Sequence, residues 1–113
     1  MELNVSSRSH DGHVSVIVVG EIDLYTAPRL HGELTVVIDN AAPGSRVIID
    51  MSGVDFCDST GMNVLLTSLR QATDRDVGFE LTAPQPAVKK ILQVTGLDSV
   101  FTISPGQATV PGE

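Results

Sequence analysis

The stretch Val47-Ile48-Ile49-Asp50-Met51-Ser52-Gly53-Val54-Asp55-Phe56-Cys57-Asp58-Ser59-Thr60-Gly61-Met62-Asn63-Val64-Leu65-Leu66 decides how the rest of the chain is read. Its first residues are β-branched and apolar, and predict a strand from Arg46 to Asp50. A short acidic loop follows and delivers Asp58-Ser59-Thr60-Gly61 to the start of a helix. Met62, Leu65, Leu66 and Leu69 then recur at helical spacing, which marks the buried face. Ser59 and Thr60 therefore sit where backbone N–H groups lack intrahelical partners and the helix dipole is positive. A hydroxyl there can cap the helix, and a phosphate there is held by the same donors.

Upstream, Glu2 to Ser6 alternates weakly and Val14 to Val19 is strongly β-branched, so two strands are expected. His10-Asp11-Gly12-His13 between them reads as a hairpin turn. In Thr26-Ala27-Pro28, Thr26 is a candidate helix cap and Pro28 suits the first turn. Ala27, Leu30, Leu34, Val37, Ile38 and Ala41 then fall on one helical face, ended by Ala42-Pro43-Gly44-Ser45. Downstream, Gly78 to Thr82 reads as a strand, and Val88, Ile91, Leu92 and Thr95 as the face of a third helix. Gly96 is its left-handed terminator, and Val100 to Ile103 is a short last strand at an edge. The order β-β-α-β-α-β-α-β predicts an α/β domain: a mixed β-sheet of four to five strands, with amphipathic helices packed on it. One domain is expected over residues 1–103, with a frayed tail over 104–113, where two Pro-Gly pairs leave little to bury.

A chain of 113 residues builds one core, and with no Trp and few aromatics that core falls to Val, Leu and Ile. The formal charge of −7, with only seven basic residues, argues against nucleic acid or an anionic membrane as a partner. Cys57 is the only cysteine, so no internal disulfide forms and a packed small hydrophobe is the expected state. No signal-peptide pattern and no long apolar run are present, and a soluble, cytoplasmic monomer is the expectation.

Catalysis finds little support. Ser59 as a nucleophile needs a base, and His10, His13 and His31 lie elsewhere in the sequence. His10 with His13 could chelate a metal, and Asp50, Asp55 and Asp58 could gather around Mg²⁺. Turn histidines are more often simply solvated, and such aspartates more often cap and turn loops. No catalytic, metal or cofactor site is assigned, and the chain reads as a non-enzyme. Gly20-Glu21-Ile22-Asp23-Leu24-Tyr25-Thr26-Ala27-Pro28 has two readings: a plain strand-to-helix connection with solvated acids, or a second acidic contact surface.

Taken with Asp50 to Phe56, Asp58 to Gly61 and Thr95-Gly96-Leu97, that segment resembles the STAS-domain anti-sigma factor antagonists, in the same order and spacing over residues 1–103. The resemblance implies a STAS fold and a partner-switching role. It maps the phosphorylated serine onto Ser59 and places Asp23, Asp58, Ser59, Thr60 and Gly61 on the partner-binding surface. It further implies that the unphosphorylated form binds an anti-sigma factor that is also a serine kinase, releasing the sigma factor. Phosphorylation ends that binding and a phosphatase restores it; ATP and Mg²⁺ belong to the kinase. The chain departs from the family at Gly61-Met62-Asn63, where many members have Gly-Leu-Gly, and at Cys57, a position more often Met or Leu. The alternative is a STAS scaffold or adaptor in a stress complex or transporter, in which Ser59 is merely a cap.

Overall fold

Hydrophobic periodicity builds five strands and three helices, which a computed structural model describes over residues 2–105. Strands β1 (Leu3–His10) and β2 (His13–Ile22) form the expected antiparallel hairpin, with His10 opposite His13. Helix α1 (Ala27–Asn40) leads to β3 (Arg46–Cys57), α2 (Ser59–Asp74) to β4 (Gly78–Thr82), and α3 (Pro86–Val94) through a short 3₁₀ turn to β5 (Thr102–Ser104). The sheet order is β1-β2-β3-β4-β5, and β2 to β5 are parallel. Each crossover advances one strand in the same direction, so right-handed connections put all three helices on one face. Burial agrees. Val16, Val18, Val47, Ile49 and Leu81 face the helices and are fully buried, while Ser15, Ile48, Asp50, Glu80 and Thr82 alternate onto the open face.

The core is aliphatic, as expected: Leu30, Leu34 and Ile38 from α1, Leu65 from α2 and Leu92 from α3 are fully buried against the strands. Phe79 and Phe101 close one side with ring centroids 6.4 Å apart. In α2 the buried stripe is Gly61, Met62, Leu65, Ser68 and Ala72, and Leu66 and Leu69 are only partly buried beside it. Gly96 takes the left-handed conformation expected of it, at φ 78°.

Two expectations need correction. The strand predicted to end at Asp50 runs on to Cys57, and its predecessor runs past Val19 to Ile22. Between β2 and β3 the register goes from Ile17↔Asp50 to Val19↔Gly53, and from Gly20↔Val54 to Glu21↔Phe56. At each step β3 carries one extra residue, a bulge that keeps the ladder while breaking the two-residue alternation. Beyond Ile49 its buried residues are therefore Met51, Val54 and Cys57, three apart, a spacing that does not look like a strand. Thr26, the other correction, makes no side-chain cap of α1; Asp23 instead caps the turn that leads into it, as shown below. Of the tail expected over 104–113, Ser104 belongs to β5 and residues 106–113 lie outside the described residues.

Candidate functional site

Because β2 and β3 are parallel neighbours, their C-terminal ends bring the two sequence segments to one rim of the sheet. Ile22 pairs with Cys57, and the Asp58 N–H donates to the Ile22 carbonyl at 3.1 Å. Asp58 then turns the chain into α2. Its backbone is extended, at φ −89° and ψ −172°, and its Oδ1 accepts the Gly61 N–H at 3.0 Å. The cap is thus Asp58, not Ser59. Ser59 is the first residue of α2 and is exposed, while Thr60 is half-buried.

Gly61 lies behind this surface and is buried. A Cβ there would stand 2.6 Å from both Cys57 Sγ and Ile22 Cγ2, so only glycine lets the first turn of α2 sit this close to the strand ends. Its part in the site is packing, not a side chain offered to a partner. Burial pushes the Cys57 thiol up to about 12, with the neighbouring Asp58 charge adding to the effect. For Asp58 itself, desolvation works to raise the carboxyl. Hydrogen bonds from the Gly61 N–H, the Thr60 hydroxyl and N–H, and the Leu24 N–H outweigh it and hold the group below its ordinary value. The Asp58 N–H on the Ile22 carbonyl ties the start of α2 to the end of β2.

In that turn Asp23 repeats the device. Its Oδ1 accepts the N–H groups of Tyr25 at 2.9 Å and Thr26 at 3.0 Å. The Thr26 hydroxyl accepts the Asp23 N–H at 2.9 Å and donates to the Glu21 carbonyl at 2.8 Å. This reciprocal pairing resembles a capping box. Asp23 is therefore no loosely solvated acid; it fixes the turn. The same rim exposes Leu24 and Tyr25, and Phe56 lies opposite Glu21 in the ladder. On the other side of Ser59, Met62, Leu66, Ile91 and Leu97 line a shallow apolar groove with Asn63 at its edge.

The structure thus brings together Asp23, Asp58, Ser59 and Thr60. Sequence reasoning missed Leu24, Tyr25, Phe56 and the groove; an apolar pair inside an acidic, capped turn was the available signal. His10 and His13 stack at the hairpin with centroids 4.5 Å apart. They lie at the other end of β2, roughly 30 Å from Ile22 at strand spacing. Among the described residues no group of three or more His, Cys, Asp or Glu side chains could hold a metal ion. No helix among them is long and apolar enough to cross a membrane.

Comparison with known proteins agrees with this geometry. The STAS domain family matches residues 4–110. The chain is 26% identical over 107 residues to the anti-sigma-B factor antagonist of Staphylococcus epidermidis, covering 94% of this chain and 96% of that one. An anti-sigma factor antagonist from Mycobacterium paratuberculosis has a solved structure that matches with a TM-score of 0.84 at 32% identity, over 95% of this chain and 89% of that one. SpoIIAA in its unphosphorylated form shares the fold, with a TM-score of 0.71 at 20% identity over 90% and 87% of the two chains. By sequence and by fold alike, this protein belongs to the STAS-domain family of anti-sigma factor antagonists.

Proposed function

We propose that this protein is a cytoplasmic partner switch whose state is written on Ser59. The unphosphorylated form binds an anti-sigma factor that is also a serine kinase, and so frees the sigma factor. Phosphorylation of Ser59 ends the binding, and a phosphatase resets it. The chain needs no cofactor of its own. One observation carries the reading: Ser59 is exposed at the first position of α2, and the capping it could have supplied comes from Asp58. Its hydroxyl is therefore accessible to a kinase and not needed to hold the helix.

The electrostatics suit a switch. A phosphoserine carries about 1.5–2 negative charges at neutral pH and three acceptor oxygens. At a helix N-terminus the N–H groups and the dipole accommodate it, so the fold survives. Across an interface the same dianion adds bulk where a serine fits and must be stripped of its hydration beside Asp58 and Asp23, a cost that can exceed any Coulombic gain from the partner. A few kcal/mol of such cost is a factor of 10² or more in affinity, by the ordinary relation of free energy to Kd.

The test uses tagged Ser59→Ala protein to capture its anti-sigma factor from native lysate, followed by purification of that factor. Incubating the parent protein with it and ATP is expected to place phosphate on Ser59, located by mass spectrometry. Phosphate found only on Thr60 moves the switch. No captured anti-sigma factor, or no phosphate, favours an adaptor role instead.

A further inference from the structure

We propose that Leu24 and Tyr25, with Phe56 across the ladder from Glu21, form the anchor by which this protein docks, onto a partner pocket that is apolar and framed by lysine and arginine. The inference rests on the partner-switch reading and names the chemistry of that partner's surface. Leu24 is 62% exposed, Tyr25 84% and Phe56 47%. Single exposed apolar residues are ordinary; three at one rim, two of them adjacent on a fixed turn, mark an interaction surface.

The turn that presents them is held rigidly. Asp23 accepts the Tyr25 and Thr26 N–H groups, its carbonyl accepts the Ala27 N–H at 2.8 Å, and Thr26 ties the turn back to Glu21. An aromatic and an aliphatic side chain thus stand outward at little ordering cost on binding, which is how energetically dominant contact residues are presented. The segments that carry them are acidic, and Arg29, just beyond, is turned to the Leu3 carbonyl and Glu33. Residues 20–28 and 50–63 contain Glu21, Asp23, Asp50, Asp55 and Asp58 and no lysine or arginine. Complementarity then requires a basic frame on the partner. Anchor and switch divide the labour: Leu24 and Tyr25 supply affinity in the unmodified state, and Ser59 controls access to it.

The probe is the anti-sigma factor purified by Ser59→Ala capture, titrated calorimetrically against single variants. Leu24→Ala and Tyr25→Ala are each expected to weaken binding by about 30-fold, the scale of a dominant contact residue. Their melting temperatures are expected to match the parent, since neither side chain is in the core. Val36→Ala, equally apolar and 59% exposed on α1, is expected to bind as the parent does. Raising salt is expected to weaken the parent complex, as a basic frame demands. Parent-like affinity for both Leu24→Ala and Tyr25→Ala, with Ser59→Asp still failing to bind, overturns the anchor and leaves the switch standing. Weakened Leu24→Ala and Tyr25→Ala alongside a parent-like Ser59→Asp does the reverse. Failure to capture any anti-sigma factor overturns both.

Discussion

Gly61→Ala is the sharpest probe of how the site is built. The added methyl would lie 2.6 Å from Cys57 Sγ, 2.6 Å from Ile22 Cγ2 and 3.1 Å from Ile22 Cβ, where ordinary contact begins near 3.4 Å. Something must therefore move by about 0.8 Å. Cys57 and Ile22 are both fully buried at the ends of β3 and β2, so neither can swing into solvent. The first turn of α2 must lift instead, and it carries the Gly61 N–H away from Asp58. Overpacking of this kind costs about 1–3 kcal/mol, from which the better helix propensity of alanine returns up to about 1 kcal/mol. A net loss of about 1–2 kcal/mol lowers the melting temperature by roughly 4–8 °C in a domain of this size. Calorimetric melting reads the loss. Cys57→Ala removes one of the three crowding atoms, so the double variant is expected to be less destabilised than the two single effects added, by about 1 kcal/mol. Melting of Gly61→Ala at or above the parent temperature, or strict additivity in the double variant, refutes the close-packing argument.

Three further expectations follow from the same region. Asp58→Ala removes a helix cap and is expected to cost about 1 kcal/mol at neutral pH. Since folding lowers the Asp58 carboxyl, its contribution is whole above the ordinary value of 3.8 and is lost as pH falls through the native one. The stability gap between parent and Asp58→Ala should therefore close in acid denaturation series, and a gap constant between about pH 7 and about pH 2 contradicts the shift. Ser68 is fully buried with its Oγ unpartnered among the described residues, so Ser68→Ala is expected to raise stability by about 1 kcal/mol; a lowered melting temperature argues for a hidden partner. With its thiol at about 12, Cys57 should resist Ellman's reagent in the native protein and react promptly in denaturant. Fast native labelling sinks that expectation.

Much of this architecture is legible in the chain because local and global signals agree. The Asp11-Gly12 turn, the α1 face of Leu30, Leu34 and Ile38, and the glycine stop at residue 96 all follow from periodicity and backbone preference. Legibility ends where the ladder bulges. Met51, Val54 and Cys57 are three apart because β3 twice inserts a residue against β2, and a two-residue template cannot follow that. Thr26 and Asp23 show a related limit. Both are good caps by composition, and it is the folded geometry that gives the N–H groups to Asp23 and the reciprocal bond to Thr26. The two site segments were visible separately. Their meeting at one rim is a consequence of parallel pairing, which composition cannot show, and in the sequence the outward Leu24 and Tyr25 are masked by the acids on either side of them.

The proposed switch turns on one hydroxyl at the tip of α2. The direct measurement is a calorimetric titration of the purified anti-sigma factor with unmodified protein and with protein stoichiometrically phosphorylated at Ser59. The unmodified form should bind, and the phosphorylated form should bind at least about 100-fold more weakly while melting at a similar temperature. Equal affinity of the two forms contradicts the switch and leaves Ser59 an ordinary residue at the start of a helix.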